Sequence, residues 1–280
     1  MNHQQKQKVE CKMVQLTPRT LAGLEIKKVE ERSSFFNILI YGDSGVGKTT
    51  LAGSADLVPE MSPVLVIDIE GGTESLKHSY PNVDMIRITS WKSMQDVYNE
   101  LHLGNTGYKT VILDSLTEIQ KFNMYAIMAD VIKGRPNQDE DVPSMREWGI
   151  NLEQIRRFVR GFRDLDMHTI FTALAKTDKD MKTGIISTKP SLSGKMADEV
   201  AAFVDIVTYY YVKQIGSGEE AEFQRLLLTS KTDQIVAKDR SGRLPMVIQQ
   251  PTMRTIFDLM TQYKEKEMTN KAPTIKESRK

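Results

Sequence analysis

Short continuous apolar runs alternate along the chain with segments whose apolar residues recur at helical spacing. "FFNILIY" (35–41), "PVLVIDIE" (63–70), "VDMIRI" (83–88), "KTVILDS" (109–115) and "HTIFTALA" (168–175) read as buried strands. Helices are predicted over Thr49–Leu57, through "SMQDVYNELHL", over 116–132 and from about Ile150 to Leu165. In the last of these, Ile155, Phe158, Val159, Phe162 and Leu165 fall on one face, and Arg156, Arg157, Arg160 and Arg163 on the other. Continuous apolar strands alternating with helices predict an α/β fold, a mostly parallel sheet with helices on both faces. The stretches 203–213 and 222–230 alternate around the turn "GSGEE" and predict C-terminal antiparallel strands, with "QIVAKDRSGRLP" adding a strand and a turn. The polar segments 133–149 and 176–195 read as long loops. Residues 1–34 predict a partly disordered N-terminal arm, 35–262 a single domain, and 263–280 a disordered charged tail.

Composition narrows this picture without replacing it. With 280 residues the chain can bury a sizeable core, and its net charge of +1 advertises no global affinity for nucleic acid. Any contact with DNA has to come from local patches. Cys11 is the single cysteine, so no intrachain disulfide forms, and the four histidines make no metal-ligand spacing with it. "MNHQQKQKVECK" lacks an apolar signal core, and no run of about 18 apolar residues occurs. These features predict a soluble, cytoplasmic protein with no membrane partner.

Candidate chemistry concentrates where the first strand ends. "GDSGVGKT" (42–49) fits G-x-x-x-x-G-K-[ST], with a strand before it and a helix after it. Glycines let the backbone curl so that its N–H groups face phosphate oxygens, and the helix N-terminus adds a positive dipole end. Gly42, Asp43, Ser44, Gly45, Val46, Gly47, Lys48, Thr49 and Thr50 are therefore the expected nucleotide-binding residues. Lys48 is expected to reach the outer phosphates, and the Thr49 hydroxyl to bind Mg²⁺.

Carboxylates at strand ends leave two kinds of nucleotide enzyme open. Asp68 to Gly71 matches the D-x-x-G of GTPases, and "AKTD" (175–178) resembles their base-reading N-K-x-D. Spacing opposes that reading. About 18 residues separate Thr49 from Asp68, enough for a helix and a strand but not for a switch loop and an extra strand as well. Ala175 also stands where the asparagine is expected.

The alternative order, phosphate loop, helix, strand with Glu70, then a later strand ending in Asp114-Ser115, resembles the RecA-like ATPases. That resemblance implies ATP as substrate and Mg²⁺ held by Thr49 and Asp114. Glu70 would orient or deprotonate the attacking water, with Asp68 supporting. "VAKDRSGRLP" is similar to the K-x-R-x-G element of RecA-like hexameric helicases and recombinases. It implies that Lys238 and Arg240 act catalytically on a neighbouring subunit's nucleotide, beside Glu70 and Lys48 in their own site. Together "YGDSGVGKTT", "VIDIEGG", "VILDS", "KPSLSGKMADEVAAFVD" and "AKDR", across about residues 35–250, resemble phage-encoded RecA-like nucleotide-binding proteins of the single-strand annealing and recombination group. The resemblance implies a homo-oligomer, ring or filament. It also implies action on single-stranded DNA in phage recombination, annealing or replication, alongside a single-strand-binding protein, in host cytoplasm. Two segments would touch DNA, 133–149 and 176–195. The second offers Lys176, Lys179, Lys182, Lys189 and Lys195, and Trp148 in the first is a stacking candidate. One departure stands out: Ala175, Lys176 and Thr177 follow the strand that in RecA ends in an Asn-Gln pair. A helicase or packaging motor of the same fold, a GTPase switch and a weakly hydrolysing scaffold remain the alternatives.

Overall fold

The computed structural model describes residues 20–26, 28, 35–179, 181, 184–216 and 221–270. Two units divide the chain, 1–34 and 35–280. Of the predicted arm, the described part is a short antiparallel hairpin, β1 (Thr20–Leu21) with β2 (Leu24–Glu25). Apart from Ile26 and Lys28, the rest of the arm lies outside the described residues.

The second unit is built on a ten-stranded sheet. Its strands are β3 (Asn37–Gly42), β4 (Val64–Asp68), β5 (Asp84–Arg87), β6 (Thr110–Asp114), β7 (His168–Lys179), β8 (Ile186–Pro190), β9 (Ile206–Ile215), β10 (Glu222–Leu228), β11 (Lys238–Asp239) and β12 (Val247–Gln249). The order is β12-β10-β9-β3-β7-β6-β4-β5, with β11 added to β9 and β8 to β7. From β5 through β9 neighbours are parallel; β8, β10, β11 and β12 join antiparallel.

Helices α1 (Lys48–Gly53), α2 (Trp91–His102), α3 (Leu116–Gly134), α4 (Met145–Arg163), α5 (Met196–Phe203) and α6 (Met253–Asn270) cover both faces. The pleat sorts strand residues between two cores, as a period of two requires. Leu39, Leu65, Val111, Leu113 and Phe171 pack with α2–α5, whereas Ile38, Ile40, Val66, Ile112 and Ile170 pack with α1 and α6. The expected domain boundary at 262 falls inside α6, which continues to Asn270; residues 271–280 lie outside the described part.

Three expectations are corrected. β5 is not a buried strand: it pairs with β4 alone, and Met85 and Ile86 are exposed at this edge. α4 begins five residues before Ile150, because Ser144 caps it. Its hydroxyl accepts the Arg146 N–H at 3.3 Å, and the Glu147 carboxylate accepts the Ser144 N–H at 2.8 Å. The segment 176–195 is not a structureless loop either. β7 continues to Lys179 and returns as β8, pairing Lys176 with Lys189 and Thr177 with Thr188.

Candidate functional site

The phosphate loop begins where β3 ends against β9. A Cβ on Gly42 would come within 2.1 Å of the Tyr210 carbonyl oxygen, so only glycine lets these strands close. Gly45 and Gly47 adopt positive φ, 78° and 100°, the conformation that turns the loop into the first turn of α1. Lys48 Nζ donates to the carbonyls of Gly42 at 3.1 Å and Asp43 at 2.8 Å. Burial pushes its pKa down, and Glu70, Asp114 and Asp43 pull it back up. The ammonium is thus held inside the loop by two backbone carbonyls, and the carboxylates around the site favour its charged form.

The sheet order brings those carboxylates together. β7 intervenes between β3 and β6, and β4 lies next to β6, so Asp114 and the turn after Asp68 end side by side. Thr49 Oγ1 donates to Asp114 Oδ2 at 2.7 Å. Thr172, on the intervening strand, donates to Asp114 Oδ1. Ser115 donates to Glu70 Oε1, fixing the glutamate beside Asp114.

Asp68 has a different task from Glu70. Buried at the end of β4, it accepts from the Gly71 N–H at 2.6 Å, from the Thr73 hydroxyl at 3.1 Å and from Arg87 at 3.1 Å. It organises the turn that presents Glu70. A Cβ on Gly72 would lie 3.5 Å from Asp114 Oδ2 and 3.7 Å from Thr49 Oγ1, so glycine leaves the space over this pair open. A hydroxyl and a carboxylate in contact, with room above them, fit a hydrated Mg²⁺ whose remaining ligands are water and phosphate. Among the described residues no cluster of three or more His, Cys, Asp or Glu offers an all-protein metal site.

Other predicted residues fall elsewhere. Lys238 and Arg240 lie at the opposite end of the sheet, where β11 pairs with Val207 and Ile206. Lys238 donates to the Ala201 carbonyl, and Arg240 to the Ala202 carbonyl and Asp205, both at 3.0 Å. They thereby close the C-terminus of α5. Burial, then Arg240, lowers the Lys238 pKa, and Asp205 opposes this. "AKTD" lies on the β7–β8 hairpin, where Lys176 pairs with Asp178 at 3.1 Å, and α1 leads to β4 through a single 3-10 turn (Ser54–Leu57) and the six residues after it. Neither feature resembles a GTPase base site or switch.

The predicted DNA segments do meet. A groove of about 1170 Å³ runs between α3, the start of α4 and the β7–β8 hairpin. Tyr125, Met145 and Trp148 line it with Lys121, Lys176, Lys189 and Lys195, and also with Glu140, Asp141 and Asp178. Lys179 lies on β7 beyond this lining, and Lys182 lies outside the described residues. Of the helix arginines, Arg156 binds Glu199 and Arg160 stacks over Phe203 at 4.5 Å, so both serve the α4–α5 contact.

Four residues that contact the candidate site have no role in the sequence analysis: Thr172, Ser115, Arg87 and Arg225. Ser115 alone carried a sequence signal, following Asp114 directly. Arg225, on β10, donates from Nε to the Val46 carbonyl at 3.3 Å, a contact spanning 179 positions.

The sequence matches the AAA domain family (AAA_24) over residues 34–241. No curated protein matches it. Solved structures similar in fold include an ATPase from the type III secretion system of pathogenic bacteria, at 14% identity and TM-score 0.43 over 63% of this chain and 52% of that one. Another is EscN, the type III secretion ATPase of enteropathogenic E. coli, at 15% identity and TM-score 0.39, covering 63% and 43%. The chain thus spans about half the length of these proteins. Among the described residues no helix is long and apolar enough to cross a membrane.

Proposed function

This chain belongs to the AAA domain family, a P-loop ATPase fold, and from that premise we propose that it hydrolyses ATP in order to act on single-stranded DNA. In the hydrolytic site, the loop N–H groups and Lys48 hold the phosphates. Thr49 and Asp114 would hold Mg²⁺, which when bound would offset the charge of the phosphates. Glu70, oriented by Ser115, takes the proton of the attacking water. Thr172 keeps the Asp114 carboxylate aimed at the Thr49 hydroxyl.

The DNA half of the proposal rests on the groove. Lys176 and Lys189 are directly opposed across the β7–β8 ladder, an arrangement that costs energy unless anions relieve it. Asp178 within the groove and Asp198 outside its lining do so, at 3.1 and 3.3 Å, and a phosphate backbone laid in the groove would add to them. Tyr125 and Trp148, both partly exposed, offer faces on which bases stack. The groove also connects to the nucleotide site. α3 starts directly after Ser115, and its Gln120 bonds both Asn151 of α4 and the backbone of Ser193. Strand annealing or recombination on a phage genome, in an oligomer and beside a single-strand-binding protein, is the setting we infer. Unwinding or packaging is the second reading, since the same groove would serve a motor.

The deciding measurement is ATP hydrolysis with and without single-stranded DNA, paired with annealing of complementary strands and a salt titration. Stimulation and salt-sensitive binding are expected. No stimulation together with no binding at low salt would remove the DNA claim and leave the ATPase. Preference for GTP over ATP would overturn the nucleotide assignment.

A further inference from the structure

We propose that the outer part of the β9–β10 ladder, Val212 with Phe223, is the shelf on which the base of the bound nucleotide rests, with Arg225 joining shelf and phosphate loop. The inference rests on the reading that the loop binds ATP. Glu70 and Asp114 fix the end of the site where the terminal phosphate must lie, on the β6–β4 side of β3. A triphosphate laid across the loop from there sends its nucleoside to the other side, toward β9 and β10.

What stands on that side is suited to a flat apolar group. In the β9–β10 ladder, Leu227 faces Tyr210, Arg225 faces Val212 and Phe223 faces Gln214. Directly opposed residues share one face of the sheet, and so do alternate residues of one strand. One row therefore runs outward on a single face. Tyr210 and Leu227 are buried in the α1-side core. Arg225 comes next, bonded to the Val46 carbonyl, its Nε 3.6 Å from where a Cβ on Gly47 would be. Opposite it is Val212, 42% exposed, and beyond the pair the row ends in Phe223, 66% exposed, opposite Gln214. Exposed apolar residues continuing directly from a phosphate loop, with a cation at the junction, match a nucleoside 5′-triphosphate in order. The base lies on Phe223 and Val212, and the Arg225 guanidinium lies beside the ribose and the innermost phosphate.

Binding of ATP and of inorganic tripolyphosphate, each with Mg²⁺, should be compared on the full chain by calorimetry. Phe223→Ala is expected to weaken ATP about ten- to a hundredfold, the worth of a lost base stack, and to leave tripolyphosphate unchanged. Phe223→Tyr should keep wild-type ATP affinity. Val212→Ser gives a second, smaller loss of the same kind should the first variant fold poorly. Wild-type ATP affinity in Phe223→Ala, or equal loss of both ligands, overturns the shelf while the ATPase reading stands. Failure of the wild-type chain to bind either ligand overturns both.

Discussion

At the scale of residues, two acids two positions apart, one ending β4 and one on the turn after it, divide the labour of the site. Glu70 accepts a hydrogen bond from Ser115 beside Asp114, while Asp68 is spent on Gly71, Thr73 and Arg87. Glu70→Gln should therefore lower kcat by about 10²- to 10⁴-fold with ATP binding kept, the range for losing a positioned general base. Asp68→Asn should lower it less and also loosen the turn, seen as faster amide exchange over 69–73. Equal kcat in Glu70→Gln and wild type would remove Glu70 from the chemistry. His168 makes a separate, pH-dependent claim. Its ring is buried among Phe35, Phe36 and Phe257, its Nδ1 accepts the Phe36 N–H at 3.1 Å, and burial lowers its pKa from 6.5 to about 4. The unfolded chain then takes up a proton that the folded chain refuses, so stability falls as pH drops from 6.5 toward 4. The full effect is on the order of 3 kcal/mol. Denaturant titrations of His168→Asn, which keeps an acceptor but does not titrate, should show a shallower acid limb; an unchanged limb would mean that other groups carry it. Lys48, Thr49, Glu70 and Asp114 were legible in the sequence because each sits at a fixed step from a glycine turn or an apolar strand end. Arg225 and Thr172 were not, because nothing local marks them: strand order and hairpin register bring them to the site.

At the scale of elements, two of the three corrected stretches share a cause: polar composition hides regular structure. Ser144-Met-Arg-Glu147 is a capping-box sequence, yet it follows a run of charged residues and Pro143, and the helix was expected only from Ile150. The cap matters because it starts α4 in time to carry Met145 and Trp148 into the groove. Ser144→Ala should cost about 1 kcal/mol. In a domain of this size that lowers Tm by roughly 2–4 °C. Any DNA affinity that depends on Trp148 should fall with it, whereas a Tm change without a binding change would separate the cap from the groove. The β7–β8 hairpin was hidden in the same way, since its alternation is of lysine, threonine and aspartate rather than of apolar and polar residues. β5 erred in the opposite sense. Its Met85 and Ile86 suggested burial, but a strand at the sheet margin has one paired side.

At the scale of the whole molecule, the question is whether the site is complete in one chain. Lys238 and Arg240 do not approach their own phosphate loop; they lie at the far end of the sheet and bond the last carbonyls of α5. The same placement serves two arrangements. In one, the pair only anchors α5 and the Asp239 turn, whose carboxylate accepts from Ser241, Arg243 and Leu244. In the other, Arg240, about half exposed, faces the phosphates of an adjoining subunit. Mixed assemblies separate them. Arg240→Ala alone should lower turnover by about 10³-fold if it acts across an interface, the lower range for an arginine finger. Lys48→Ala alone should be inactive. Mixing the two inactive variants places an intact loop from one against an intact arginine from the other, so activity should return. The fraction regained should follow the chance of that pairing as the mixing ratio is varied. Absence of any return, with Arg240→Ala melting earlier while keeping its turnover per folded chain, would assign the pair to α5 and leave Lys48, Thr49, Glu70 and Asp114 as a site made by one chain alone.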